Sequence, residues 1–178
     1  MEHPRPEQLT VVIDPERDHV QGSATAPFTL VEYGDFECPF SAKAAVRVHR
    51  LQRELGDRLR FVYRQFPLSK HPHAQLAAEA SEAAAAQDRF WNMYAMLFTH
   101  QARLERDDLV GYAARLGMDV ERFARELDDH TWEEKVRLQA EGGRLLGATG
   151  TPSFVIDGRL YTGPYEPADL RAALGADG

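Results

Sequence analysis

Val31-Glu32-Tyr33-Gly34-Asp35-Phe36-Glu37-Cys38-Pro39-Phe40-Ser41 joins a strand pattern to a helix pattern and holds the only cysteine of the chain. Just upstream, Phe28 to Tyr33 reads Phe-Thr-Leu-Val-Glu-Tyr, mostly apolar and rich in aromatic and β-branched residues, which predicts a buried strand. From Ala42 onward Ala45, Val48, Leu51 and Leu55 recur three or four apart, the spacing of one helix face. Pro39 suits a first helical position, where its missing N–H costs nothing, so Cys38 becomes the N-cap residue. Its sulfur then lies near the free amides of Phe40 and Ser41, at the positive end of the helix dipole. That environment favours the thiolate, the reactive form of cysteine. The plain alternative is a free cysteine packed as a small apolar core residue.

Working outward, Gly56-Asp57 stops the helix, and Leu59 to Phe66 alternates Leu59, Phe61 and Tyr63 with Arg58, Arg60 and Arg64, a second strand ending at Pro67. Strand, helix and strand with a short return imply a right-handed parallel βαβ unit. The middle is nearly all helix: Ala74 to Ala86, Phe90 to His100, one capped by Asp107-Asp108 and running to Leu116, one from Asp119 through Leu127, and one from Thr131 through Leu146. Phe90 and Trp91 read as the packing seam of this block. Ser153 to Ile156 and Arg159 to Thr162 flank Asp157-Gly158, a strong hairpin signal, and Pro167 to Leu174 closes the chain as a helix. At the other end, residues 1 to about 26 read as an extended arm. Its apolar cluster Leu9, Val11, Val12 and Ile13 is a candidate edge strand, and Asp18 to Pro27 a loop.

With 178 residues, 43% hydrophobic and 28% charged, the chain fits one soluble globular domain. A net charge of -7 argues against nucleic acid as a partner. No apolar run approaches bilayer length, so no membrane partner is expected. The opening Met-Glu-His-Pro-Arg-Pro-Glu-Gln is polar and proline-broken, unlike a signal peptide, and one cysteine forms no internal disulfide; both features point to the cytoplasm. His71 and His73 flank Pro72 without a partner at ligand spacing, so a loop or capping role is expected, with no metal and no cofactor. Asp35 and Glu37 precede the thiol and would raise its pKa if close to it.

This order of elements, with Cys38-Pro39-Phe40-Ser41 at the first helix and Gly150-Thr151-Pro152 before the hairpin, resembles the thioredoxin superfamily, and within it the DsbA-like thiol–disulfide oxidoreductases. The matching stretches are Val31 to Pro39, Arg64-Gln65-Phe66-Pro67-Leu68, Phe90-Trp91 and Gly147 to Phe154. The resemblance implies an α/β thioredoxin-like fold with a helical domain, about 70–146, inserted after the first βαβ unit. It further implies that Cys38 is the attacking thiol and Pro152 the loop proline, usually cis, opposite the sulfur. Thr151 would offer backbone to a bound chain, Pro39 and Phe40 would line the substrate surface, and Glu32 would be a buried acid assisting proton transfer. Ser41 stands where the family has its second, resolving cysteine.

That substitution restricts the chemistry. Cys38 can form only a mixed disulfide with another molecule, which a second thiol must resolve. The expected function is monothiol exchange with client protein or peptide thiols and disulfides, or with a low-molecular-weight thiol. In it the Ser41 hydroxyl donates to the thiolate in place of the lost S–H. Two alternatives stand beside it: a binding module that kept the peptide groove without the redox cycle, and a kappa-type glutathione transferase.

Overall fold

A computed structural model describes residues 11–178. Its centre is the expected unit of β2 (Phe28–Gly34), α1 (Pro39–Leu55) and β3 (Leu59–Gln65), with the two strands parallel and Glu32 beside Tyr63. Five helices follow: α2 (Ala74–Ala85), α3 (Phe90–Thr99), α4 (Arg106–Arg115), α5 (Val120–Asp128) and α6 (Glu133–Leu145). The chain then returns through β4 (Ser153–Ile156) and β5 (Arg159–Tyr161) and ends in α7 (Pro167–Ala173). With β1 (His19–Gln21) the strands order as β1-β3-β2-β4-β5; β2 pairs parallel to β3 and antiparallel to β4. This is the α/β thioredoxin-like architecture, with the helical block inserted after the first βαβ unit.

Strand alternation divides the core in two. Leu30, Phe61, Tyr63, Phe154 and Ile156 share one buried cluster with Val48 and Leu51 of α1 and Met93 and Leu97 of α3. Val31, Tyr33, Val62 and Val155 point the other way and pack with Ala140 of α6. Each such leucine or phenylalanine contributes about 1.5–3 kcal/mol by leaving water. The helix α6 comes so near that a Cβ on Gly143 would stand 2.8 Å from the Phe66 ring, so only glycine fits there. On the first face Phe90 lies 6.2 Å from Tyr63 and Trp91 6.0 Å from Phe61 between ring centroids, so this pair packs the helical block onto β3.

Two turns follow directly from residue chemistry. Asp157 and Gly158 have φ of 51° and 76°, the left-handed pair that a two-residue hairpin requires. Asp119 caps α5 by accepting from the Arg122 amide at 3.0 Å.

Other details differ from expectation. Of the candidate edge strand at Leu9, Val11, Val12 and Ile13, Val11 to Ile13 take no strand pairing, and Leu9 lies outside the described residues. The edge strand is instead β1, inside the stretch read as loop, antiparallel to β3 and anchored by the His19 ring stacked 3.5 Å from that of Phe90. Helix α4 is capped by Glu105, with Asp108 as its reciprocal partner, because the chain turns extended one residue before Arg106. Helix α6 begins two residues later than Thr131 predicts, with Trp132 at its cap.

Candidate functional site

Cys38 has extended backbone (φ −76°, ψ 122°) and its carbonyl accepts the first bond of α1 from Ala42 at 3.1 Å. It is therefore the N-cap, with Pro39 at the first helical position. The side chain is 3% exposed. The sulfur takes no capping bond from the first-turn amides of α1. Its thiol instead donates to the Thr151 carbonyl at 3.5 Å, across 113 residues of sequence. The Thr151–Pro152 bond is cis, and Thr151 Oγ1 is buried with no hydrogen-bond partner among the described residues. The fold thus brings Cys38, Thr151 and Pro152 together. Pro39 and Phe40 lie at the rim; Phe40 is 56% exposed, with the Lys43 ammonium 5.6 Å from its ring centre.

Ser41 is fully buried, but its hydroxyl is not directed as the sequence suggested. Its Oγ accepts a bond from the Asp35 amide at 3.3 Å, so it ties down the loop preceding the cysteine, and the sulfur makes its bond elsewhere. Glu32 is fully buried between Tyr63 and Phe154 in the sheet. Neither of its oxygens has a hydrogen-bond partner among the described residues, nor has the Tyr63 hydroxyl. Burial pushes the Glu32 carboxyl up from 4.5 to about 8, which leaves it a neutral acid with a proton to give at pH 7.

Around the thiol lies a polar frame that single-residue reading missed. Asp35 is 1% exposed. Its Oδ1 accepts from the Glu37 amide at 2.8 Å; its Oδ2 accepts from the Leu68 amide at 2.9 Å and lies 2.7 Å from His71 Nδ1. Its carbonyl accepts from the Cys38 amide at 3.1 Å. Glu37 lies 2.8 Å from His73 Nδ1 and accepts from the His73 amide at 2.7 Å, and His73 Nε2 reaches Glu105 at 2.9 Å. The hydrogen bond that the ring donates to Glu37, with that to Glu105, raises the His73 pKa. Gln101 donates to the carbonyls of Phe36 at 2.8 Å and Cys38 at 2.9 Å, which fixes the turn from the side of the helical block. The two acids before the cysteine are therefore each matched to a histidine of the loop after β3. The only sequence signal for this was the numerical match of two acids and two histidines, each pair spaced by two.

Beside the Thr151–Pro152 loop opens a groove of about 710 Å³, lined by Phe66, Leu68, His71, Gln75, Arg144 and Thr149. Among the described residues no set of three or more His, Cys, Asp and Glu side chains is placed to hold a metal ion. A thiol at a helix start, loop backbone against it and an adjoining polar groove together suit a sulfur that meets an extended chain or a small thiol.

Comparison with known proteins agrees with this geometry. The family model described as thioredoxin matches residues 14–176. A thioredoxin-like oxidoreductase from Silicibacter pomeroyi DSS-3 superposes with a TM-score of 0.80 at 26% identity, covering 91% of this chain and 92% of that one. Wolbachia pipientis alpha-DsbA1 superposes at 0.76 with 19% identity, covering 93% and 92%. By sequence, the Na(+)/H(+) antiporter NhaA 1 of Salinispora arenicola is 44% identical over 167 residues, which is 93% of this chain but 26% of that protein. The chain thus spans about a quarter of that relative, and among the described residues no helix is long and apolar enough to cross a membrane.

The expected cytoplasmic location is corrected. A periplasmic thioredoxin-like protein from Salmonella enterica serovar Typhimurium shares the fold, with a TM-score of 0.71 and 18% identity over 89% of this chain and 88% of that one. A lone cysteine forms no internal disulfide in either compartment, so the count that suggested the cytoplasm carries no record of redox surroundings.

Proposed function

Because this chain belongs to the thioredoxin family, we propose that it is a DsbA-like thiol–disulfide oxidoreductase working through Cys38 alone. The observation that carries this reading is the contact between the Cys38 thiol and the Thr151 carbonyl beside cis Pro152, at the head of α1, with a buried serine at position 41. An incoming client disulfide exchanges with Cys38: the sulfur bonds to one client sulfur, the client S–S bond breaks, and the released thiolate takes up a proton. Glu32, neutral and buried on the same side of the sheet as Phe36, is the proposed internal proton donor and acceptor for the sulfur. Thr151 supplies backbone for the client chain, and Pro39, Phe40 and Pro152 its walls. With Ser41 unable to close an internal disulfide, the mixed disulfide waits for an external thiol. The clients are protein or peptide thiols and disulfides.

The near-complete burial of Cys38 favours one competing reading, a peptide-binding module without turnover. Alkylation by iodoacetamide separates the two, since the only cysteine gives an unambiguous signal. Native alkylation with an apparent pKa below the free value of about 8.5 supports the enzyme. No reaction until the protein unfolds would sink it and leave the binding module.

A further inference from the structure

We propose that His71, oriented by Asp35, is the base that activates the external thiol, and that the groove beside Thr149 is where that thiol binds. This rests on the single-cysteine reading above and supplies the partner that reading lacks. Two backbone N–H donors, of Glu37 and Leu68, converge on the Asp35 carboxyl, which suits an acceptor-only carboxylate, so His71 Nδ1, 2.7 Å from Oδ2, is assigned the proton of that contact. A neutral ring then keeps a lone pair on Nε2. That nitrogen has no hydrogen-bond partner among the described residues, and the ring, 18% exposed, lines the groove. A carboxylate that fixes one imidazole nitrogen so that the other can accept a proton is the arrangement of a general base.

The groove also states what kind of thiol it suits. Arg144 stands in its wall, 5.5 Å from the Phe66 ring centre and with no carboxylate partner among the described residues. Of the charged groups, Asp35 on the loop after β2 bonds the His71 ring and Arg144 on α6 lines the same groove. A small thiol bearing a carboxylate meets the free cation with its acid and the free Nε2 with its S–H. Thr149, in the same wall, lies two residues from Thr151, at most about 7 Å of chain from the carbonyl that holds the Cys38 sulfur.

The step balances without a further oxidant. The thiol loses its proton to His71 Nε2, and the thiolate attacks the client sulfur of the mixed disulfide, the more accessible of its two sulfurs because Cys38 is buried. A new S–S bond joins the small thiol to the client. The old S–S bond breaks with its electron pair on Cys38, which takes its proton from Glu32; His71 releases the proton it accepted to solvent, and solvent reprotonates Glu32. His71 is a catalytic residue in this step and Asp35 a positioning residue.

The test uses reduced glutathione as the thiol. The full chain is first glutathionylated at Cys38 with oxidised glutathione. Loss of the adduct on adding reduced glutathione is then followed by intact mass spectrometry, from about pH 6 to about pH 9.5, across the ionisation of a free thiol near 8.5. His71→Asn keeps a donor toward Asp35 and removes the base. A free thiol is only a few per cent ionised at pH 7, so the wild type should exceed this variant by roughly ten- to thirty-fold there, and the two should converge above the thiol's own pKa. Arg144→Met should raise the glutathione concentration for half-maximal rate several-fold and leave the shape of the pH profile intact. Equal rates for wild type and His71→Asn at every pH overturn the proposal. A fall matched by an equal fall in iodoacetamide alkylation of Cys38 also overturns it, as a structural role. A wild type that takes up no glutathione overturns the single-cysteine reading and this proposal with it; an adduct that His71→Asn resolves at full speed overturns this proposal alone.

Discussion

Two carboxylates of this protein are buried to the same degree and behave in opposite ways. Glu32 and Glu82 are both 0% exposed. Glu82, in the middle of α2, lies 2.8 Å from His19 Nε2 of β1, accepts from Gln65 Nε2 of β3 at 2.9 Å and pairs with Lys135 of α6. Burial pushes its pKa up, but the His19 bond and the charges of His19 and Lys135 outweigh that, and the net shift is downward. Among the described residues Glu32 has no such partners, and burial carries it to about 8. Burial therefore does not decide whether a carboxyl is a strut or a proton store; its partners do. Glu82 joins four elements of the fold, whereas Glu32, between Tyr63 and Phe154 in the sheet, has no side-chain bond among the described residues.

The largest expected effect comes from breaking the strut. Glu82→Ala leaves Lys135 and His19 facing an empty buried site and should cost about 5 kcal/mol, the upper end for removing one member of a buried ion pair. Urea unfolding at neutral pH checks this, and a loss below about 1 kcal/mol would mean that the cluster contributes little. Because the folded pKa of Glu82 is lowered, its stabilisation is present above 4.5 and fades as pH falls.

The proton store predicts the reverse pH dependence. Folded Glu32 holds its proton between 4.5 and about 8 while the unfolded chain has released it, so the contribution of Glu32 to stability is full below 4.5 and drains as pH rises to about 8. At about 1.4 kcal/mol per unit, Glu32→Gln should gain roughly 4 kcal/mol relative to wild type between about pH 5 and pH 8. Parallel stability curves for the two proteins across that interval would show that Glu32 finds a partner and that the contrast with Glu82 is lost.

Glu37 is the intermediate case, partnered but near solvent, with His73 36% exposed. His73→Ala should cost only about 0.5 kcal/mol, as exposed pairs do. The raised His73 pKa places that contribution at low pH, fully present below 6.5 and lost as pH climbs through the folded value. Thermal melts at pH 5.5 and pH 9 would check it; an equal loss at both would assign the effect to packing rather than charge.

How much could be read in advance follows the range of the interactions. Periodicity located β2, α1 and β3, because each is decided by its own apolar spacing, and Asp157-Gly158 located the hairpin, because the turn depends on those two residues. β1 escaped notice: three residues are too few for alternation, and His19 becomes a strand residue only through Phe90 and Glu82 far along the chain. At the site, Cys38 as N-cap was legible because it is local. The Ser41 hydroxyl was read toward the sulfur, one turn away, when the nearer claim was the amide of Asp35. Asp35 with His71, and Gln101 with the Cys38 carbonyl, join residues 36 and 63 apart, and no local pattern announces such pairs.

The reach of the Cys38–Thr151 contact has a consequence for the chain as it is made. The ribosome delivers residue 38 long before residue 151, and domains fold from the N-terminal side as they emerge. Throughout synthesis of the helical block the sulfur has no Thr151 carbonyl against it, and β2 has no β4 on that edge. Until the last strands arrive, the nascent chain carries an unguarded thiol and an open sheet edge together, so its most vulnerable moment chemically is also its most vulnerable moment for misassociation.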